Sequence, residues 1–362
     1  MKPTRIELKR SFFGERPGLL LEYSDFKATA FRYTTGICGL HVQNSHFDFV
    51  LLPFYGQQLW KMKIDGKEVT MKSIFEEPED TDDFSLTYGG FLIHCGMTAM
   101  GNPSVDDTHP LHGELSGAAY KNAYLETGED EKGRYLAAGG TYDYKNGLEY
   151  NYSACPRLVI YEGESVAHVS MTLRNKRCQP MEFMYMCHIN WLPQDGGKLI
   201  YSAAKDKEHI KVFQEDFGLP PEREETLQAY TRRLMENPLI GDVLDSKTQV
   251  YDPEICTCIS YQTDEFGYAH SMLVLPDEYA YYIRFETEYL PNGLRWVART
   301  GDEDAIGFAL PTTGNHLGQT YAKEHGLMKE VPAKGNVILN YDFGLLNPNE
   351  TVNMKHQIES LL

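Results

Sequence analysis

Short runs of apolar, aromatic and β-branched residues recur along the chain, and turn residues separate them. Such runs are typical of strands on a pleated, half-buried surface. They lie at 18–23, 28–33, 39–42, 47–52, 158–161, 167–174, 181–190, 255–262, 271–275, 280–289, 305–310, 337–343 and 351–358. Asp65-Gly66 is the strongest hairpin signal. Many short strands with regular turns predict an antiparallel all-β sandwich rather than alternating βαβ units.

One segment has the period of a helix instead. Pro220 and Pro221 come first, and acidic residues occupy the first turn, where they suit the positive end of the helix dipole. An apolar stripe at helical spacing consists of Leu227, Tyr230, Leu234 and Met235. An Asn-Pro pair at 237–238 ends the pattern. We therefore predict a helical insertion at about 220–237 in a single domain spanning residues 1–362.

Composition and charge exclude two classes of partner. The chain has 362 residues, 42% hydrophobic and 24% charged, as in packed globular proteins. With 34 Lys and Arg against 52 Asp and Glu the net charge is −18, which repels phosphate backbones, so we expect no nucleic-acid partner. No stretch of about 18 apolar residues occurs, so we expect no membrane partner.

Cysteine usage and sequence fingerprints bear on location and cofactors. The cysteines number seven, and no apolar segment of a signal peptide follows Met1, which favours a reducing cytoplasm. The cysteines lack the paired spacing of a zinc site, and there is neither a dinucleotide fingerprint nor a P-loop. We therefore expect a cytoplasmic protein that needs no cofactor. The oligomeric state stays open, a homodimer included.

Two glycine-rich segments carry histidines. His94 lies in the segment 89–103, and His112 and Glu114 lie in the segment 109–117. Glycines let the backbone approach a ligand closely, and an imidazole that another group orients can act as an acid or base near neutral pH. The alternative is a glycine-rich loop with a surface histidine.

A third segment, 184–197, combines a strand pattern with polar side chains. A period of two places Met186, His188 and Asn190 on one face and Trp191 on the other. His188 is therefore either an acid or base in a cleft or a satisfied core residue, whereas Trp191 is expected in the core.

The order of these motifs resembles the galactose mutarotase-like (aldose 1-epimerase) superfamily, and more closely its DUF4432 branch. The resemblance is carried by the Leu-His-Gly turn at His112, by the strand with His188 and Asn190, and by the segments 90–103 and 307–332 around them. It covers about residues 19–354.

This resemblance implies a β-supersandwich of two large antiparallel twisted sheets with few short helices, and a sugar bound in an open groove. The implied reaction interconverts sugar anomers: an acid protonates the ring oxygen while a base takes the proton of the anomeric hydroxyl, so that the ring opens. The implied partner is a small-molecule sugar, and the implied enzyme class is an isomerase, an aldose 1-epimerase-like mutarotase.

The resemblance also implies residue roles. His188 matches the histidine that protonates the ring oxygen, and His112 matches an auxiliary histidine near the anomeric or ring oxygens. Asn190 would hold a sugar hydroxyl or orient the histidine. Further predicted sugar contacts are His94, Arg295, His316 and Gln58.

The family's base is a glutamate before a proline in the late strand, and this chain departs from that pattern. Ala309 and Leu310 precede Pro311, so no carboxylate stands there. The nearest replacement in the sequence is Glu114, directly after the Leu-His-Gly turn. The other candidates are His316, Asp195 and Glu288.

The missing glutamate leaves three interpretations open. The base has moved, the protein binds a sugar without catalysis, or the pocket serves another reaction, such as isomerisation, epimerisation or elimination on a keto-sugar. A metal-assisted version of the third would use His94, His112 and His188 with a carboxylate such as Glu114 as ligands.

Overall fold

A computed structural model describes residues 3–362, and it contains 22 strands and three α-helices. The first eleven strands are β1 (Thr4–Leu8), β2 (Gly18–Tyr23), β3 (Phe26–Arg32), β4 (Cys38–Gln43), β5 (Phe47–Leu51), β6 (Leu59–Ile64), β7 (Lys67–Glu68), β8 (Leu92–Met97), β9 (Asn122–Asp130), β10 (Gly133–Asn146) and β11 (Tyr150–Tyr161). The others are β12 (Val166–Asn175), β13 (Met181–Ile189), β14 (Lys198–Tyr201), β15 (Ile210–Val212), β16 (Ile255–Ser260), β17 (Tyr268–Val274), β18 (Ala280–Glu286), β19 (Asn292–Arg299), β20 (Asp304–Thr312), β21 (Lys329–Val331) and β22 (Asn336–Leu346). The helices are α1 (Pro221–Glu236), α2 (Gly318–Glu324) and α3 (Pro348–Glu359), with 3-10 turns at Arg10–Phe12, Phe84–Leu86 and Pro238–Gly241.

The strands form two large antiparallel sheets. One sheet has nine strands in the order β1-β9-β10-β11-β12-β22-β18-β17-β14. The other has thirteen strands, eleven of them in the order β15-β16-β19-β20-β13-β8-β6-β5-β4-β3-β2, with β21 paired to β13 and β7 paired to β6. The predicted all-β supersandwich is therefore confirmed.

Local sequence explains much of this arrangement. In β3, Phe26, Ala28 and Ala30 are buried and alternate with more exposed neighbours, as a period of two predicts. Asp65 and Gly66 connect β6 to β7 with φ of +50° and +74°, the conformation that a tight hairpin turn requires. The predicted hairpin is confirmed.

The core between the two sheets defines an inner and an outer face of the thirteen-stranded sheet. The Tyr185 hydroxyl on β13 is 3.0 Å from the Tyr341 hydroxyl on β22, which belongs to the other sheet. Trp191 stacks on Tyr281 of β18 with ring centroids 4.6 Å apart, which confirms its place in the core. Side chains on the Tyr185 side of β13 are thus inner, and those that alternate with them are outer.

The predicted helix near 220–237 is present as α1, and its buried stripe includes Leu227 and Leu234. The predicted strand at 351–358 is wrong, because these residues lie in α3. Asn347 and Glu350 form a reciprocal capping box at its start, and this local preference outweighs the β-branched residues that suggested a strand.

Across residues 3–362, no helix combines the length and the apolar character needed to cross a membrane.

Candidate active site

A cavity of about 240 Å³ opens on the outer face of the thirteen-stranded sheet. Its floor is formed by residues of β13, β16, β19 and β20: Met186, His188, Cys256, Leu294, Trp296 and Leu310. Its walls come mainly from connecting segments and include Phe84, Tyr88, His112, Glu254, Glu303 and His316.

Strand register explains why the floor residues share one face. Met186 and His188 are two positions apart on β13 and share one face, as the sequence predicts, and in the structure that face is the outer one. Across the neighbouring strands, Cys256 is paired with Trp296, and paired residues in an antiparallel sheet point to the same side. The β19–β20 pairing has an irregularity between Leu294 and Trp296, beside the cavity.

His112 reaches the same cavity from the turn that follows β8. Its φ is +61°, and its backbone nitrogen donates to the carbonyl of Gly101 at 3.0 Å. Gly113 follows with φ of +78°, and a Cβ there would lie 2.2 Å from the carbonyl oxygen of Ala99. The glycine of the Leu-His-Gly turn is thus required by both conformation and space.

His316 is held against the same turn. The backbone nitrogen of Asn102 donates to the His316 carbonyl at 2.7 Å, and a Cβ on Gly101 would lie 2.3 Å from that carbonyl oxygen. The ring Nε2 of His316 is 2.8 Å from Glu215. One short segment, Gly101–His112, therefore positions His112 and His316 together.

The two histidines singled out by the sequence meet in this cavity. The ring centroids of His112 and His188 are 5.5 Å apart with the planes at 75°. Trp296 lies 5.1 Å from His188, and Phe84 lies 4.6 Å from His112, both edge to face. Tyr88 closes the group at 5.8 Å from His188.

This apolar enclosure disfavours positive charge on the two rings. Burial lowers the pKa of His188 to about 4. Burial, and then the neighbouring His188, lower the pKa of His112 well below its usual value. Both imidazoles are therefore neutral near pH 7, each with one donor and one acceptor nitrogen.

The cavity also contains carboxylates that sequence reasoning missed. Glu254 precedes β16, and its Oε2 accepts a hydrogen bond from Trp296 Nε1 at 2.6 Å. Burial raises the pKa of Glu254, and the negative charges of Glu215 and Glu303 add to the rise. Glu254 and Cys256 are two positions apart, so in an extended chain their side chains point to the same side of the sheet. This spacing was the signal from which Glu254 could have been found in the sequence.

Glu114 lies outside the cavity. One of its oxygens accepts from the backbone nitrogen of Thr98 at 3.0 Å and from the Tyr152 hydroxyl at 2.5 Å, and the other accepts from the Thr98 hydroxyl. These bonds hold the carboxylate away from His112 and His188, which corrects the expectation that Glu114 replaces the missing base.

Three of the predicted sugar contacts also lie elsewhere. His94 is in register with Cys187, so it is on the inner face, where its Nδ1 is 2.7 Å from the Tyr185 hydroxyl. Burial lowers the pKa of His94 to about 3. Gln58 donates to the Ser116 carbonyl at 2.7 Å, and Arg295 donates to Asp242 at 3.0 Å. These residues are structural, which corrects their assignment as sugar contacts.

Asn190 supports the cavity indirectly. Its Oδ1 accepts a hydrogen bond from the Tyr88 hydroxyl at 2.9 Å, and its Nδ2 donates to the Gly90 carbonyl at 2.8 Å. The amide therefore positions Tyr88 beside His188.

The alternative set of metal ligands does not converge. His94 points to the inner face, whereas His188 points outward, so one ion cannot contact both with His112. Within residues 3–362 no group of three or more His, Cys, Asp or Glu side chains is arranged to hold a metal ion.

The two-sheet sandwich has the fold of galactose mutarotase-like proteins. The structure is similar to that of a Klebsiella pneumoniae protein provisionally named an aldose 1-epimerase, with a TM-score of 0.82, 14% identity and coverage of 99% of this chain and 96% of the other. It is also similar to a galactose mutarotase-like protein from Clostridium acetobutylicum, with a TM-score of 0.57, 10% identity and coverage of 89% and 99%. A galactose mutarotase-like protein from Lactobacillus casei matches with a TM-score of 0.53, 13% identity and coverage of 85% and 99%.

Residues 34–205 match the family described as Domain of unknown function (DUF4432). The matched segment contains both the Leu-His-Gly turn at His112 and the strand with His188 and Asn190. The resemblance to the DUF4432 branch is therefore confirmed. No curated protein matches the chain.

Proposed function

We propose that this protein is a carbohydrate-active enzyme, an aldose 1-epimerase-like isomerase that interconverts sugar anomers by acid/base ring opening. The observation that carries the proposal is the meeting of His188, His112 and Glu254 at one cavity. The chemistry needs one group that gives a proton to the ring oxygen and one that takes the proton of the anomeric hydroxyl.

His188 and Glu254 form the acid/base pair, and His112 is the auxiliary group. Burial raises the pKa of Glu254 and lowers that of His188 to about 4, so when the pair holds one proton the carboxyl is the favoured site. As the ring opens, one member of the pair protonates the ring oxygen and the other accepts the anomeric proton. Ring closure after rotation of the C1 aldehyde reverses both transfers, so each group acts once as acid and once as base, and the enzyme is regenerated.

In this proposal the pair occupies the place left by the glutamate that is missing at Leu310. Glu254 precedes β16, two strands from β20 across the sheet, and Leu310 itself lines the cavity floor. A carboxylate from a nearby strand can thus serve the same space, since a base only has to come within hydrogen-bond reach of its proton.

The size and lining of the cavity support a monosaccharide. At about 240 Å³ it is smaller than the roughly 300 to 1,000 Å³ sites that hold drug-sized ligands. Trp296, Tyr88 and Phe84 present aromatic surface on which the apolar C–H face of a sugar can pack.

The test is exchange NMR or polarimetry on freshly dissolved single anomers of common aldoses. We expect equilibration to be faster with the protein than with buffer for at least one aldose. His188→Ala should lower that rate at least about 100-fold, whereas His356→Ala, at an exposed position on α3, should leave it unchanged. No acceleration across the panel would contradict the proposal.

Thermal unfolding with the same sugars, measured beside anomer exchange, separates catalysis from binding alone. A sugar that binds without turnover would raise stability by about 2.7 kcal/mol at 100 times its dissociation constant while anomer exchange stayed at the buffer rate. That outcome would favour a sugar-binding protein.

A further inference from the structure

Among the residues within 3–362 that line the cavity there are acidic side chains but no lysine or arginine. Glu254 and Glu303 line it, and Glu215 lies directly behind His316. The rings of His188 and His112 add no positive charge near pH 7, because burial lowers the pKa of both.

The two arginines of β19 are committed to other partners. Arg295 is adjacent to Trp296 on β19 but points to the inner face, where it pairs with Asp242. Arg299, at the end of β19, pairs with Asp195 and Asp304. These pairings keep the guanidinium groups away from the cavity.

The loop that carries Glu303 also has a nearby cation. Lys72 donates to the carbonyl of Gly301 rather than to the Glu303 carboxylate. The Glu303 carboxylate has no hydrogen-bond partner within residues 3–362 and no ion-pair partner there, and it is only partly buried. It is therefore available to a ligand.

A second observation marks the same space as a ligand site. The His188 side chain is 3% exposed and lines the cavity, and its Nδ1 has no hydrogen-bond partner within residues 3–362. Buried polar groups are normally paired, so an unpaired imidazole at a cavity indicates a place where polar ligand groups bind.

We propose that the cavity selects sugars by charge: it takes neutral or amine-bearing aldoses and excludes aldoses that carry phosphate, sulfate or carboxylate groups, with Glu303 as a specificity-determining residue. This inference rests on the proposed function. Like charges in a partly buried, poorly screened cavity repel strongly, so an anionic group should weaken productive binding at least about 100-fold.

The test uses four sugars with the same ring: D-galactose, D-galactosamine, D-galactose 6-phosphate and D-galacturonate. We expect kcat/KM for anomer exchange to be at least about 100-fold lower for the two anionic sugars than for galactose, and galactosamine to be at least as good as galactose. Comparable rates for the phosphate or the uronate would overturn the charge selection and leave the proposed function standing.

Charge reversal at Glu303 provides a second test of charge selection. Glu303→Lys should raise kcat/KM for galactose 6-phosphate relative to galactose at least about tenfold, with a smaller effect for Glu303→Gln. Glu330→Lys is the matched control, since Glu330 is an exposed residue of β21 opposite Glu182. An equal change in Glu330→Lys, or none in Glu303→Lys, would contradict the role of Glu303.

Thermal stabilisation by the same four sugars decides the inference if none is turned over. Absence of turnover counts against the proposed function. Stabilisation by the neutral and amine-bearing sugars alone would still support charge selection. Equal stabilisation by the anionic sugars, or no stabilisation by any of the four, would overturn it.

Discussion

Glu254 accepts a hydrogen bond of 2.6 Å from the indole nitrogen of Trp296. The bond joins a buried carboxyl on one strand end to an aromatic side chain on the next strand, and both line the cavity that contains His188. It fixes the orientation of the carboxyl without neutralising it, since the indole N–H donates a hydrogen bond but carries no charge. A carboxyl held in this way, with a raised pKa, is suited to proton transfer.

The first prediction compares two glutamates. Glu254→Gln keeps an oxygen that can accept from Trp296 but removes the proton-transfer group, so we expect at least about a 100-fold loss of kcat with little change in stability. Glu114→Gln is the matched control, because Glu114 bonds to Thr98 and Tyr152 outside the cavity. It should lower the melting temperature and reduce kcat by less than about tenfold.

Exchange NMR for the rates and thermal unfolding for the stabilities distinguish the two glutamates. A large loss of rate in Glu114→Gln, together with near wild-type activity in Glu254→Gln, would return the role of base to the residue that the sequence suggested.

Much of the fold could be predicted from local pattern. Alternating burial and a hairpin turn such as Asp65-Gly66 are encoded within a few residues, and so is the helix at Pro221–Glu236. The long strand β10 was not predicted, because Gly139 and Gly140 in its centre weaken a strand signal. Pairing with β9 and β11 on both sides stabilises it, and that information is not local.

The candidate site was predictable only in part, because it too depends on strand pairing that the local sequence does not encode. His112 and His188 stood out because each lies in a recognisable motif. Whether a histidine faces the cavity depends on strand register, which places His94 opposite Cys187 and therefore on the inner face. Glu254 has no motif of its own, and it reaches the site because β16 pairs with β19.

The second prediction concerns the stability of the protein as a function of pH. The His188 pKa is about 4 in the folded state and near 6.5 when unfolded, so the unfolded chain binds the proton first as pH falls. The contribution of neutral His188 to the free energy of unfolding is fully present above pH 6.5 and is lost progressively towards pH 4. The loss between pH 7.5 and pH 4.5 amounts to roughly 2 to 3 kcal/mol of unfolding free energy.

Urea unfolding at the two pH values measures this effect. Between pH 7.5 and pH 4.5, His188→Gln should lose roughly 2 to 3 kcal/mol less unfolding free energy than the wild type. His356→Gln, at an exposed position, should behave as the wild type. Equal pH dependence in wild type and His188→Gln would mean that His188 is not a buried neutral histidine.

The third prediction concerns Trp296. It is 8% exposed and lines the cavity, whereas Trp60 and Trp191 are fully buried elsewhere. A sugar that enters the cavity should therefore change the fluorescence of Trp296 alone. In Trp296→Phe the ligand-dependent change should disappear and KM should rise, because stacking surface and the bond to Glu254 are lost. A ligand response that persists in Trp296→Phe would place sugar binding elsewhere.

The last prediction concerns the backbone that joins His112 to His316. Gly101 has φ of +86°, and a Cβ there would lie 2.3 Å from the His316 carbonyl oxygen. Gly101→Ala must therefore shift the segment that positions both rings, and we expect at least about tenfold lower activity as well as lower stability. Gly218 is the control, because its φ is +63° but nothing lies within 4 Å of the added Cβ.

The two alanine variants share the cost of a left-handed backbone, about 1 kcal/mol each, so their difference isolates the overlap with His316. Gly218→Ala should lose stability only and keep its anomer-exchange rate. If Gly101→Ala also kept the wild-type rate, the geometry of His112 and His316 would not depend on this segment, and the auxiliary role of His112 would lose its structural basis.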